Sequence, residues 1–206
     1  MMIKVWDPAI RAFHWALVAA FAIAWLSAEE AQPLHQLAGY AVAALVAFRL
    51  VWGITGTHYA RFAQFVRSPA SVAAYLRLMI RGEEPRYIGH NPAGAAMIVV
   101  LLGALSVTAW TGWQMTPGLP VATEQAAQVV QMLQDDDDHE DSSGEHADLS
   151  GPAGIKELHE ASANLLLLLV LLHLGGVVLA SLRHKENLAR SMLTGAKPAP
   201  QPGDIA

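Results

Sequence analysis

The chain has no cysteine in its 206 residues. That excludes disulfides, thiolate-held iron–sulfur clusters and covalent CxxCH attachment of a haem. Charge is scarce as well: 15% of residues are Asp, Glu, Lys or Arg against 53% that are hydrophobic. Several apolar runs approach the roughly 20 residues that cross a bilayer, so the composition reads as an integral membrane protein. Also missing are GxSxG, GxxxxGK and HExxH, so no hydrolytic or nucleotide-binding signature is present.

Four spans are expected, at about Phe13 to Ala28, Leu34 to Trp52, Ala93 to Trp113 and Leu158 to Leu182. Each carries small residues that allow close helix approach, and the arrangement predicts an all-α four-helix membrane bundle, residues 1–197, followed by a tail, 198–206. The first run is short for a crossing unless it starts nearer Pro8. A basic start, an apolar stretch and Leu26-Ser27-Ala28 also imitate a cleavable signal peptide, whose removal would take His14 with it.

Cations are nearly absent from one side. Lys4 and Arg11 precede the first span, Arg49 ends the second, Arg61, Arg67, Arg77, Arg81 and Arg86 fill the second connection, and Arg183, Lys185, Arg190 and Lys197 follow the fourth. Only Lys156 falls on the other side, so twelve of thirteen cationic residues predict cytoplasmic termini and a multi-pass protein of the bacterial inner membrane. Those arginines sit where topology requires them and give no support to nucleic-acid binding. Nine of the eighteen acidic residues lie between Glu124 and Asp148. They occupy an external loop, 116–156, which contains a short amphipathic stretch (Ala126, Val129, Val130, Leu133) and the run DDDDHEDSSGEHADLSGPAG. His139 and His146 among these carboxylates are candidates for a divalent metal, and a landing surface for a basic periplasmic protein is the more economical use. In the second connection, Ser68-Pro69 opens an expected interfacial helix with Val72, Leu76, Met79 and Ile80 on one face and Arg77 and Arg81 elsewhere. Covering the bundle end and docking a partner explain that helix equally.

The histidines carry the chemistry. His159 and His173 are fourteen residues apart; at about 100° per residue both leave one helix face, separated by about 21 Å along the axis. Intramembrane imidazoles are costly and usually functional, and imidazole is a common metal and haem-iron ligand. His58, His90 and His184 belong to cytoplasmic loops. Depth then pairs His14 with His173 near the inner surface and His35 with His159 near the outer one, which suggests two stacked bis-histidine haems. A histidine at a helix end can also simply rest in the interface, an explanation open to His14 and His35 singly and harder to apply to His173. Arg49, fourteen residues after His35, is a candidate for neutralising inner haem propionates or else a snorkelling helix-end arginine. Arg11 is a weaker propionate candidate. Gly39, Gly175 and Gly176 clear space for a flat macrocycle or for helix packing.

The segments VWDPAIRAFHW, HQLAGYAVAALVAFRLVWGITGTHYARFAQFV, YIGHNPAGAAM, LHEASANLLLLLVLLHLGG and SLRHKENLARSMLTGAKP resemble the prokaryotic cytochrome b561 family, which includes the b-type cytochrome subunits of nickel-iron hydrogenases. The resemblance spans nearly all of the chain except the external loop, whose acidic insertion departs from the family. It implies a four-helix membrane protein with two non-covalent haem b groups ligated by His14, His35, His159 and His173, exchanging electrons with quinone.

The functional expectation is therefore an electron-transfer protein, or a subunit of a quinone oxidoreductase, relaying electrons between quinone and a periplasmic redox partner such as a cytochrome c, a hydrogenase or another dehydrogenase. His90, Arg67 and Tyr87 are candidates for quinone contact, and loop packing explains them as readily. Two competing readings are a metal or haem transporter that uses the histidines transiently, and a structural anchor whose histidines are incidental.

Overall fold

The computed structural model describes residues 1–116 and 152–205. The acidic run, with His139 and His146, and the amphipathic stretch before it lie outside these residues. Four long helices form. α1, Pro8–Leu26, begins where the Asp7 carboxylate accepts the Ile10 amide at 2.9 Å and Pro8 occupies a first-turn position that needs no N–H. It starts five residues before the apolar run, so Arg11 and His14 lie inside the helix. The Ser27 hydroxyl, donating to the Ile23 carbonyl at 2.6 Å, marks its end. α2 is Gln32–Thr55. After a 3-10 turn, His58–Ala60, come a short α3, Phe62–Phe65, and α4, Pro69–Arg81. α5, Pro92–Gln114, starts at an Asn91 cap whose side chain accepts the Gly94 amide at 2.7 Å.

α6, Pro152–Arg183, is the longest helix at 32 residues. It begins six residues before the apolar run, so the connection between α5 and this helix ends at residue 151 rather than 156 and His159 lies two turns inside the helix. Propensity explains the extension: Ala153, Lys156, Glu157 and Glu160 are good helix formers, and Lys156 pairs with Glu160 one turn on at 3.7 Å. At 1.5 Å per residue α6 measures about 48 Å, more than the hydrocarbon thickness, so part of it projects or the helix tilts. All four long helices are apolar enough to cross a membrane. Most of their large side chains, such as Leu168, Leu172 and Val178, remain exposed on the outer surface of the bundle, as lipid-facing residues do.

α1 packs on α2, α2 on α5, and α5 on α6. The circuit does not close tightly: α6 makes few or no close backbone contacts with α1 or α2, which leaves a seam between them. Ala20, Val42, Val46, Leu105 and Leu166 form an apolar layer at mid-height. Leu166 lies seven residues from both His159 and His173, so this layer separates the two histidine levels.

A polar cap closes one end. β1, Met2–Lys4, pairs antiparallel with β2, Ala196–Pro198, after the short helix α7, Leu188–Thr194. The described termini therefore lie together, at the end that also carries the 56–91 connection. Gly195, at φ 79°, turns the chain so that its carbonyl accepts the amides of Val5 and Trp6 at 2.9 and 3.1 Å. A Cβ there would stand 2.8 Å from the Trp6 carbonyl oxygen, which demands glycine. Beneath the strands, Arg86 pairs with Glu186 and Asp204, and Lys197 pairs with Glu186 at 3.3 Å while donating to the Tyr87 and Ile88 carbonyls. Two cations and two carboxylates balance, as burial requires. Residues 198–205 are thus part of the cap, because the Ile88 amide donates to the Ile205 carbonyl at 2.9 Å and Asp204 bonds Arg86.

α4 differs from its amphipathic reading. Its inward side centres on Tyr75, whose ring meets Tyr87 edge-on at 5.7 Å, with Val72 and Met79 partly covered. Leu76 and Ile80 face out. The aromatic anchor sets the rotation of the helix because it buries more area than either aliphatic residue.

Candidate functional site

The seam between α6 and the α1–α2 pair carries the four histidines. At the uncapped end, the rings of His35 and His159 lie with centroids 6.1 Å apart and planes at 82°. His35 Nδ1 is 2.8 Å from the Ala24 carbonyl oxygen, and His159 Nδ1 is 3.0 Å from that of Thr108. A carbonyl oxygen only accepts, so both Nδ1 atoms carry the proton and both Nε2 atoms keep a lone pair for a metal. The Thr111 hydroxyl, fully buried, donates to the Val107 carbonyl and sits 3.0 Å from His159 Nδ1, closing that side of the ring. Gly112 lets His159 lie against α5, since a Cβ there would come within 3.0 Å of its Cε1.

At the capped end the seam holds His14 of α1 and His173 of α6. Here the rings are not locked. His14 Nδ1 is buried with no hydrogen-bond partner, and its ring meets that of Trp15 edge-on at 5.2 Å. An orphaned polar atom in an apolar wall is costly and points to a missing partner. A Cβ built on Gly175 or Gly176 beside His173, on Gly39 near His35, or on Gly103 of α5 meets nothing within 4 Å. The seam and its imidazoles would suit haem, with the histidines available to hold iron that would supply one-electron chemistry.

The two arginines marked as propionate candidates are occupied by protein. Arg49 is buried, donates to the Ala60 carbonyl at 3.1 Å and lies 4.7 Å from the Phe62 ring centroid. It does not snorkel. Gly53 allows this packing, since a Cβ there would sit 2.0 Å from the Phe62 ring. Arg11 donates to the Leu193 carbonyl and keeps a buried, unpartnered Nε.

Beside Arg49, His90 is held between Trp6 and Phe65, each ring centroid 4.6 Å away. Burial, with Arg49 and Lys197 nearby, pushes its pKa down to about 3, so it is neutral at physiological pH. Its Nδ1 is also buried and unpartnered. Sorting by depth made His90 a loop residue; the loop is folded against the bundle. His90 lines a cavity of about 120 Å³ with His58, Tyr59, Gln64, Arg67 and Tyr87. The three residues singled out in the sequence for quinone contact therefore share one cavity.

Sequence reasoning missed Thr108, Thr111 and Gly112, which orient His159, and the aromatic clamp on His90. Thr111 was readable as a hydroxyl in an apolar span; Thr108 was not, because it meets His159 through its main-chain carbonyl. The clamp was not, because Trp6, Phe65 and His90 come from three separate segments.

Neither a curated protein nor a solved structure matches the chain. A family model does: prokaryotic cytochrome b561 matches residues 5–195, which takes in all four spans and all four seam histidines. The chain is therefore a multi-pass bacterial membrane protein of the prokaryotic cytochrome b561 family, a b-type cytochrome of electron transfer.

Proposed function

We propose that the protein binds two haem b groups, one on His35 and His159 and one on His14 and His173, and relays electrons between a periplasmic redox partner and the quinone pool. The observation that carries this reading is the seam: α6 presents histidines at two heights, and at each height another helix brings a second histidine to it. Bound haem supplies reversible one-electron chemistry at iron, with a potential set by its ligands and surroundings. The chain supplies the rest. Thr108 and Ala24 fix the outer imidazoles in the ligating tautomer, the Leu166 layer keeps water from passing between levels, and the arginines at the capped end bias the inner level toward negative charge.

Quinone contact is assigned to the cavity formed by His58, Tyr59, Gln64, Arg67, Tyr87 and His90. It holds hydrogen-bond donors and no carboxylate, which suits a carbonyl oxygen. The positive-inside bias supports a cytoplasmic position for this end and both termini. The acidic segment 135–148 then faces the periplasm, where a basic cytochrome c is the favoured partner and a hydrogenase or another dehydrogenase is the alternative.

Pyridine haemochrome analysis and reduced-minus-oxidised spectra of the purified protein test the core of this reading. Two haems per chain are expected, and one or none overturns it. Deleting 135–148 is expected to slow exchange with a basic cytochrome at low salt only; an unchanged rate removes docking from that loop.

A further inference from the structure

At the capped end the arginines divide into two groups. Arg86 and Arg183 have carboxylate partners, and Arg11, Arg49 and Arg61 donate to backbone carbonyls. Arg67, Arg77, Arg81 and Arg190 make no ion pair or side-chain hydrogen bond with any described residue, and two of these four, Arg77 and Arg81, lie on α4 itself. α4 also carries unexplained apolar exposure: Ile80 is 81% exposed and Leu76 38%. At about 100° per residue, the outward side runs in the order Leu76, Ile80, Arg77, Arg81, so an apolar strip borders a cationic one. Height is fixed by packing. α4 rests on α5, whose span begins at Pro92, and the Gly82 turn after it is held by Arg183 at the foot of α6, donating to Met79 and Glu84. The strip therefore stands where acyl chains give way to headgroups. Water at that height leaves Ile80 unfavourably exposed and the guanidinium groups of Arg77 and Arg81 without anions, whereas a lipid phosphodiester above acyl chain satisfies both.

We propose that α4 is a lipid-recognition element that selects anionic phospholipids: Leu76 and Ile80 enter the acyl boundary, while Arg77 and Arg81 hold headgroup phosphates. Guanidinium forks match phosphate oxygens geometrically, and Arg77 and Arg81 lie one turn apart, a spacing that serves one headgroup or two neighbours.

The cysteine-free sequence makes the test clean. Ile80→Cys carrying an environment-sensitive fluorophore is placed in nanodiscs of phosphatidylcholine alone, and of phosphatidylcholine with increasing phosphatidylglycerol. The expected result is an emission blue shift that grows with the anionic fraction and weakens with salt. Combining it with R77Q/R81Q moves the half-effect to a several-fold higher anionic fraction, each arginine contributing roughly five-fold at low salt. R77K/R81K, which keeps the charges, retains most of the preference and controls for misfolding. Emission that is water-like in every composition, or blue-shifted equally without phosphatidylglycerol, overturns the proposal; the first result assigns the face to a soluble protein, the second to lipid contact without headgroup selection.

Discussion

The two histidine levels of the seam are built differently. At the uncapped end both rings are fixed through Nδ1 to helix carbonyls, and a buried threonine and a glycine press His159 into place. At the capped end His14 has a buried nitrogen with no partner, and the order lies around the pair rather than on it, in aromatic clamps, interior arginines and an ion-pair cluster. One level is thus preorganised through its ligand tautomers. The other is enclosed by a cap whose integrity is a separate matter. Disturbing either set of supports should affect its own level first.

The largest expected effect comes from the four seam histidines proposed to hold haem. His159→Ala or His35→Ala should remove about half of the haem, and His14→Ala or His173→Ala the other half, with two distinguishable difference spectra. Loss of the same spectral component from all four variants breaks the comparison outright. Next is the cap. Glu186→Ala leaves Lys197 and Arg86, both largely buried, short of a counter-charge. Breaking a buried pair in this way costs about 3–5 kcal/mol, and thermal release should show the inner component lost well before the outer one. Gly53→Ala forces Phe62 off Arg49 and should cost about 1–3 kcal/mol by overpacking, again at the inner level. Equal loss of both components in either variant removes the distinction between levels.

Acid should act on the same end. His90 titrates near 6.5 when exposed and at about 3 in the fold, so between these values the unfolded chain binds the extra proton and stability falls as pH falls. The slope is at most about 1.4 kcal/mol per pH unit. His90→Phe, which suits the slot between Trp6 and Phe65, should flatten the slope. Asp7 adds to it: burial alone would raise its pKa, but bonds from the Thr57 hydroxyl and the Ile10 amide outweigh that and hold it below the usual carboxylate value. Its contribution is present above that range and lost as pH drops through it. The smallest effect belongs to Thr111→Val, about 0.5–1.5 kcal/mol, shifting the outer spectral component and leaving the inner one unchanged.

The seam residues were legible because a membrane span is a poor place for polarity: His159 and His173 stand out in a run of leucines, and a fixed rise per residue converts spacing into depth. The four spans were legible for the same reason, apart from their ends. α1 and α6 begin earlier than hydropathy suggests because Asp7 and the helix formers around Lys156 set those boundaries by capping and propensity, which a count of apolar residues does not register. The cap was illegible. Its strands are three residues long, Arg86 finds Glu186 a hundred positions away, and Tyr75 outcompetes Leu76 and Ile80 for the inward side of α4 only because Tyr87 is there to receive it.

The pairing of β1 with β2 constrains biogenesis. β1 precedes all four long helices and β2 follows them, so the cap seals only after all four helices have been made. Until then the slot around Trp6 stays accessible from that side, an interval for cofactor loading that closes when β2 pairs with β1.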